Sequence, residues 1–152
     1  MKTVLQRCAY ASVTIDGVVR GRIAQGFLIL AGISDEDDET VVRKMAEKIS
    51  KLRVFEDENG KMNLSILQVG GSVLSISQFT LYADCRKGNR PGFDKAGSPA
   101  HAEKLYLYFN EVLRGLGIHT EEGIFGAEMK VELLNDGPVT IILDSDEIIK
   151  KK

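Results

Sequence analysis

Little in these 152 residues could hold a metal or cross-link the chain: there are two cysteines, Cys8 and Cys85, and two histidines, His101 and His119. They form no Cys-x-x-Cys pair and no closely spaced His/Cys set, which excludes a disulfide framework and a zinc site, so no metal and no cofactor is expected. No HExxH, phosphate-loop lysine motif or strand-borne GxGxxG is present, so metalloprotease and nucleotide chemistry lack a carrier. The apolar runs stop far short of the ~20 residues a membrane span needs. An excess of positive charge is missing as well. With 20 Lys and Arg against 22 Asp and Glu, the formal charge is -2. That excludes wholesale binding of a nucleic-acid backbone and confines any RNA contact to a local patch. The opening MKTVLQRCAY puts Gln6 and Arg7 where a signal peptide needs its apolar core, so a cytoplasmic protein is expected, with no membrane partner.

What is present is the pattern of a globular fold. A chain of this length buries roughly two thirds of the surface its unfolded form exposes, and a single domain over 1–152 is expected. The first thirty-three residues read as strand, turn, strand, strand: Val13 and Ile15 alternate, Asp16-Gly17 supplies a hairpin turn, and FLILAGI is a run buried on both faces. Val42, Met45, Ile49 and Leu52 then recur at helical spacing behind an acidic cluster that suits a helix N-terminus. Asp57 to Gly60 reads as a turn and Ser72 to Leu81 as a strand. Tyr82 to Ser98 is a long loop of the kind usually kept for function. Pro99 opens a second helix with an apolar stripe of Leu105, Phe109, Val112, Leu113 and Leu116. Met129 to Leu134 and Val139 to Leu143 read as closing strands, and about 146–152 as a charged tail that frays. Hairpin-connected strands with two main helices predict an α+β fold whose mostly antiparallel sheet curls toward a barrel.

Candidate chemistry is sparse. Cys85 with His101 or His119 as base is a possible thiol-hydrolase pair, but Asp84 beside the thiol disfavours the thiolate. His101, in a helix first turn, reads as a surface residue. The acidic residues at 35–39 and 144–147 flank secondary structure, where solvation accounts for them. Ser77 to Phe93, SQFTLYADCRKGNRPGF, is different: a hydroxyl- and amide-bearing strand end runs into a loop with Arg86, Lys87 and Arg90. Basic residues beside glycines suit phosphate contact, although a merely solvated loop has the same composition. NDGPVT, Asn135 to Thr140, reads as a junction between strands, yet Pro138 falls where a returning strand should donate a ladder hydrogen bond.

Taken together, SQFTLYAD (77–84) and NDGPVT (135–140) resemble the paired signature motifs of the D-aminoacyl-tRNA deacylases. The likeness extends along the chain through Gln6, Arg7, Ala11, Ser12 and Val13, LRVFEDENGKMN at 52–63, the helix with LYLYF, and GIFGAEMKVELLNDGPVT. The resemblance implies a homodimer that hydrolyses the ester joining a D-amino acid to the 3′ end of a tRNA. Ser77, Gln78, Phe79 and Thr80 would line the pocket for the terminal adenosine and the ester, with backbone N–H groups stabilising the oxyanion. Gly137 and Pro138 would form a Gly-cisPro element reaching into the partner's site, with Arg7 fixing its orientation. Phe125, Gly126, Ala127 and Met129 would surround the adenosine. The family's RKG-Arg-Arg-Pro-Ser-Phe stretch is altered here to RKGNRPGF, and Cys8-Ala9-Tyr10 is an atypical spacer.

The implied chemistry agrees with the missing acid/base pair. An aminoacyl ester is already activated, and the ribose 2′-hydroxyl lies beside the scissile bond, so placement and oxyanion donors suffice. Thr80 acting as a nucleophile is the alternative, without an evident base. Selectivity by exclusion would reject L side chains through a clash with rigid backbone. Glycine has no side chain to reject, so glycyl-tRNA(Ala) is expected to be cleaved too. Two rival readings are a non-catalytic binder of the tRNA 3′ end and a hydrolase built on Cys85.

Overall fold

The computed structural model describes residues 1–149. In chain order the strands are β1 (Lys2–Ile15), β2 (Val18–Ile23), β3 (Gly26–Gly32), β4 (Phe55–Glu56), β5 (Met62–Leu64), β6 (Ser72–Ser77), β7 (Thr120–Glu122) and β8 (Lys130–Asp144). The helices are α1 (Glu39–Lys51), α2 (Pro99–Gly115) and the short α3 (Ser145–Ile148). The opening hairpin forms where expected. Asp16 and Gly17 take φ of 50° and 77°, the pair of positive values that a two-residue turn of matching twist requires.

β1 organises the main sheet. β3 pairs with its Lys2–Cys8 half and β2 with its Ala11–Ile15 half along one edge, and β8 runs antiparallel along the other. β3 to β6 and β6 to β7 are parallel pairs. The sheet is therefore mixed, which corrects the expectation of a mostly antiparallel one. The reason lies in the connections: α1 carries the crossover from β3 to β6 and α2 the one from β6 to β7, and a helical crossover returns the chain in the same direction. The curling toward a barrel is present. β2 and β7, at opposite ends of the strand order, meet so closely that a Cβ on Gly21 would lie 3.3 Å from the Cβ of Glu121.

The helices close the outer layer. Asp38 caps α1 by accepting the Val41 N–H at 2.9 Å, and Val42, Met45, Ala46 and Ile49 are fully buried against β1 and β3 residues such as Leu5 and Phe27. Burying each of the larger of these side chains stabilises the fold by about 1.5–3 kcal/mol. From α2, Leu105, Tyr106, Phe109 and Leu113 enter the same core. A second cluster, including Cys8, Val13, Leu28 and Leu74, fills the space within the curled sheet. No helix among the described residues is long and apolar enough to cross a membrane.

Three further expectations are corrected. Ser72 to Leu81 is not one strand: β6 ends at Ser77, and Phe79–Tyr82 form a 3-10 turn. The apolar residues of QFTLY looked like a continuing strand but pack as a turn, with the Leu81 N–H on the Gln78 carbonyl. The tail is ordered through 149, because Asp144 caps α3 and the Met1 ammonium reaches Ser145 Oγ at 2.8 Å and Asp37 Oδ1 at 2.7 Å. Residues 150–152 of the expected tail lie outside the described residues. Finally, the two closing strands are one. β8 continues through NDGPVT, with Cys8 opposite Asn135 and Gln6 opposite Thr140. Two steps along β1 face five along β8, so Asp136, Gly137 and Pro138 bulge outward and the strand then resumes its pairing with β1.

Candidate active site

β6 delivers the SQFT segment to the rim of a cavity. The Gln78 N–H still follows the parallel ladder, donating to the Ala31 carbonyl at 2.8 Å. Immediately afterwards the chain tightens into the 3-10 turn, whose leading N–H groups have no partner inside the turn. Ser77, Gln78 and Phe79 line a cavity of about 590 Å3 together with Phe125, Gly126, Ala127 and Met129. Two groups of residues separated by some fifty positions are thus brought into one pocket. Behind them, the Tyr106 hydroxyl donates to the Ser75 carbonyl at 2.6 Å, and its ring packs 6.2 Å from that of Phe125. Burial pushes the Tyr106 phenol up, so it stays a neutral donor.

None of the described residues lining this cavity carries an ionisable side chain. Its walls are aromatic and aliphatic, with the neutral polar residues Ser77 and Gln78. Thr80 is not among them: it is exposed, and its Oγ1 accepts a hydrogen bond from Gln78 Nε2 at 2.5 Å. An amide is no base, so this contact orients the hydroxyl without activating it. The rest of the wall, which the sequence did not single out, comes from Ile33, Phe93, Ala96, Gly97, Ala102 and Val131 among others. Phe93 had a visible signal, being the one phenylalanine in a largely polar, glycine-rich loop. Gly97 is pinned by its N–H to the Ile33 carbonyl at 2.8 Å, which holds the loop against β3.

Gly137 and Pro138 are exposed on the β8 bulge and do not line this chain's cavity. Their peptide bond is cis. The bulge is held from both sides. Arg7, 5% exposed, donates from Nε to the Asp136 carbonyl at 3.0 Å and from Nη1 to the Val54 carbonyl at 2.7 Å. Asn135 accepts the Val139 N–H and donates to Thr140 Oγ1, both at 3.1 Å. Gly137 is required twice over: its φ is 129°, and a Cβ there would stand 2.8 Å from Arg7 Nη2.

In the loop after the 3-10 turn, the Asp84 and Gly92 backbones bond to each other at 2.7 and 2.9 Å and close off a tip. Arg86 is not a free cation. Its guanidinium chelates Asp84 at 2.9 and 2.7 Å and, with the Arg86 N–H, holds that carboxyl down to about 2. Lys87 and Arg90 sit exposed on the tip. Cys85 is exposed on this loop, outside the cavity, while the half-buried His101 directs Nε2 to the Asp37 carbonyl at 2.9 Å. His101 is therefore not the surface residue expected, and the thiol pair is not assembled around it. Cys8 is buried, and burial pushes its thiol up to about 11. Among the described residues no cluster of His, Cys, Asp or Glu could hold a metal ion.

Comparison with known proteins places the chain among the deacylating hydrolases that act on aminoacyl-tRNA. Residues 4–144 match the family described as D-Tyr-tRNA(Tyr) deacylase, and the chain belongs to that family. It is 58% identical over 147 residues to the D-aminoacyl-tRNA deacylase of Thermus aquaticus, covering 97% of each chain. It is 59% identical over 145 residues to that of Bacillus cytotoxicus, covering 95% of this chain and 99% of the other. Among solved structures, one titled c-Myc DNA Unwinding Element Binding Protein superposes with a TM-score of 0.89 at 43% identity, covering 95% of this chain and 98% of that one. Another, titled as a probable eukaryotic D-amino acid tRNA deacylase, shares the fold with a TM-score of 0.80 at 16% identity over 93% and 97% of the two chains.

Proposed function

We propose that this protein is a cytoplasmic homodimeric enzyme that cleaves D-aminoacyl-tRNA to free D-amino acid and tRNA. The observation that carries the reading is the cavity in which Ser77, Gln78 and Phe79 meet Phe125, Gly126, Ala127 and Met129, with no ionisable side chain among the described residues that line it. Such a site suits a substrate that brings its own reactivity. An adenine finds apolar and aromatic walls, the ester carbonyl finds the leading N–H groups of the 3-10 turn, and the neighbouring ribose 2′-hydroxyl helps place water. Thr80 orients substrate or solvent from the rim. Lys87 and Arg90, with Arg86 largely committed to Asp84, supply the few phosphate contacts.

Selectivity falls to the bulge. Arg7 holds the Asp136 carbonyl, so Gly137 and Pro138 form a fixed projection, and that projection lies outside its own pocket. A second copy gives it a target. β8 supports this pairing, since it is hydrogen-bonded to β1 alone and exposes Leu134 by 53% and Ile142 by 73%. A long edge strand with outward apolar residues calls for a partner. Within the dimer the projection would meet an L side chain and spare a D one, and glycyl-tRNA(Ala) would pass as a substrate.

The test is a paired incubation with D-tyrosyl-tRNA and L-tyrosyl-tRNA, with glycyl-tRNA(Ala) as a third substrate. Release from the D ester and the glycyl ester alone is expected. Equal release from D and L would remove the exclusion mechanism, and release from none would leave a binder of the tRNA end.

A further inference from the structure

Two aromatic rings stand exposed at the mouth of the cavity. Phe79, 55% exposed, and Phe93, 36% exposed, meet edge to face with centroids 5.1 Å apart. They come from different segments, and each backbone is braced. Phe79 opens the 3-10 turn. Phe93 follows the Asp84–Gly92 bridge, and its carbonyl accepts the Ala96 N–H at 3.0 Å one residue before Gly97 is pinned to Ile33. Large apolar side chains held open to water on a fixed backbone lose hydrophobic stabilisation and gain no flexibility in exchange. Such a surface is explained by something that lies on it.

Its surroundings restrict what that is. Inward from the pair lies the neutral cavity with Phe125 and Met129. Outward, beyond the bridge, lies the loop tip with the exposed cations Lys87 and Arg90. A ligand crossing this rim is flat and apolar at its middle and anionic further out. Single-stranded nucleic acid has that order of features, because bases stack on aromatic side chains while phosphates meet Lys and Arg.

We propose that Phe79 and Phe93 form a stacking platform for the nucleotide that precedes the terminal adenosine, a subsite beyond the one that takes the adenosine itself. The proposal rests on the reading of the cavity as a site for the 3′ end of tRNA. Phe93 is the better probe, since Phe79 shares its backbone with the reacting segment.

The direct measurement is equilibrium binding of two small ligands, adenosine and the dinucleotide cytidylyl-(3′→5′)-adenosine, to the intact protein. The wild type should bind the dinucleotide on the order of 10-fold more tightly than adenosine, the scale of one stacked base. In Phe93→Ala that ratio should fall to within about 2-fold, whereas Phe93→Trp, which restores an aromatic face, should recover most of it. Equal affinities of the wild type for the two ligands would overturn the proposal, as would an unchanged ratio in Phe93→Ala. A failure of the broader reading looks different, because no D ester would be hydrolysed while the dinucleotide preference and its dependence on Phe93 persisted.

Discussion

The Ser77–Thr80 segment and the Asn135–Thr140 bulge are both departures from regular strands, yet they are built in opposite ways. The first tightens into a 3-10 turn after a parallel ladder, and its Ser77, Gln78 and Phe79 line a cavity made by its own chain. The second loops outward from an edge strand, is fixed by a buried arginine and an asparagine, and faces nothing in its own chain's cavity. The difference teaches that, on the proposed function, a receiving half and a projecting half of the same chain would rest chemistry and selectivity on different kinds of support. Damage to either should therefore leave a distinct signature.

The largest effect is expected at the support of the projection. Arg7→Ala strands the buried Val54 carbonyl and releases the Asp136 carbonyl on the bulge, which should cost about 2–3 kcal/mol in urea unfolding. Arg7→Lys should recover only part of this, since one ammonium does not reproduce the guanidinium fork. An unchanged midpoint would show that the bulge holds itself. Gly137→Ala comes next. The positive φ and the contact with Arg7 should cost about 1–2 kcal/mol, and the ratio of D to L hydrolysis should change by more than the D rate does. A uniform loss on both esters would erase the proposed division of labour.

On the receiving side, Thr80→Ala removes one exposed hydrogen bond, so stability should stay within about 0.5 kcal/mol and D-ester hydrolysis should fall less than about 10-fold. Complete loss with normal tRNA binding would promote Thr80 to nucleophile. The loop beyond it should respond to acid in one direction only. The Asp84 carboxyl is depressed to about 2, so the Arg86 pair persists above the ordinary carboxylate value and is lost as pH falls through about 2, which carboxyl NMR of Asp84 can follow. The smallest effect is chemical. Near pH 8 an alkylating reagent should label the exposed Cys85 and leave Cys8 untouched, because Cys8 is buried and titrates near 11. Cys85→Ala should leave D-ester hydrolysis unchanged.

How much of this was legible in the sequence depended on whether the signal was local. The hairpin at Asp16-Gly17, the stripe of α1 behind its acidic cap and Pro99 at the start of α2 are each written within a few residues. Strand partners are not, because period-two burial marks a strand without naming its neighbour, so the parallel pairs of β6 passed unseen. At Phe79–Tyr82, apolar residues that pack on a 3-10 turn have the composition of a strand. Gly137-Pro138 looked like a terminator because a proline ends most ladders; only the pairing of β8 with β1 on both sides of the bulge shows that the strand resumes. For the site, the motif resemblance pointed to Ser77, Gln78, Phe79, Thr80, Phe125, Gly126, Ala127 and Met129, all of which except Thr80 line one cavity. Phe93, Ile33 and Gly97 were missed because loop closure brings them there.

The pairing of β1 with β8 has a consequence for how the protein comes into being. Lys2 lies opposite Asp144, so the strand that carries the Asp136–Pro138 bulge docks onto a segment far earlier in the chain. Contacts so distant along the chain close late and slowly. An emerging or partly unfolded chain can already possess the α1 helix and the first hairpin, but it has no positioned Asp136–Pro138. On the proposed function, discrimination between mirror-image substrates would thus be among the last properties this polypeptide acquires.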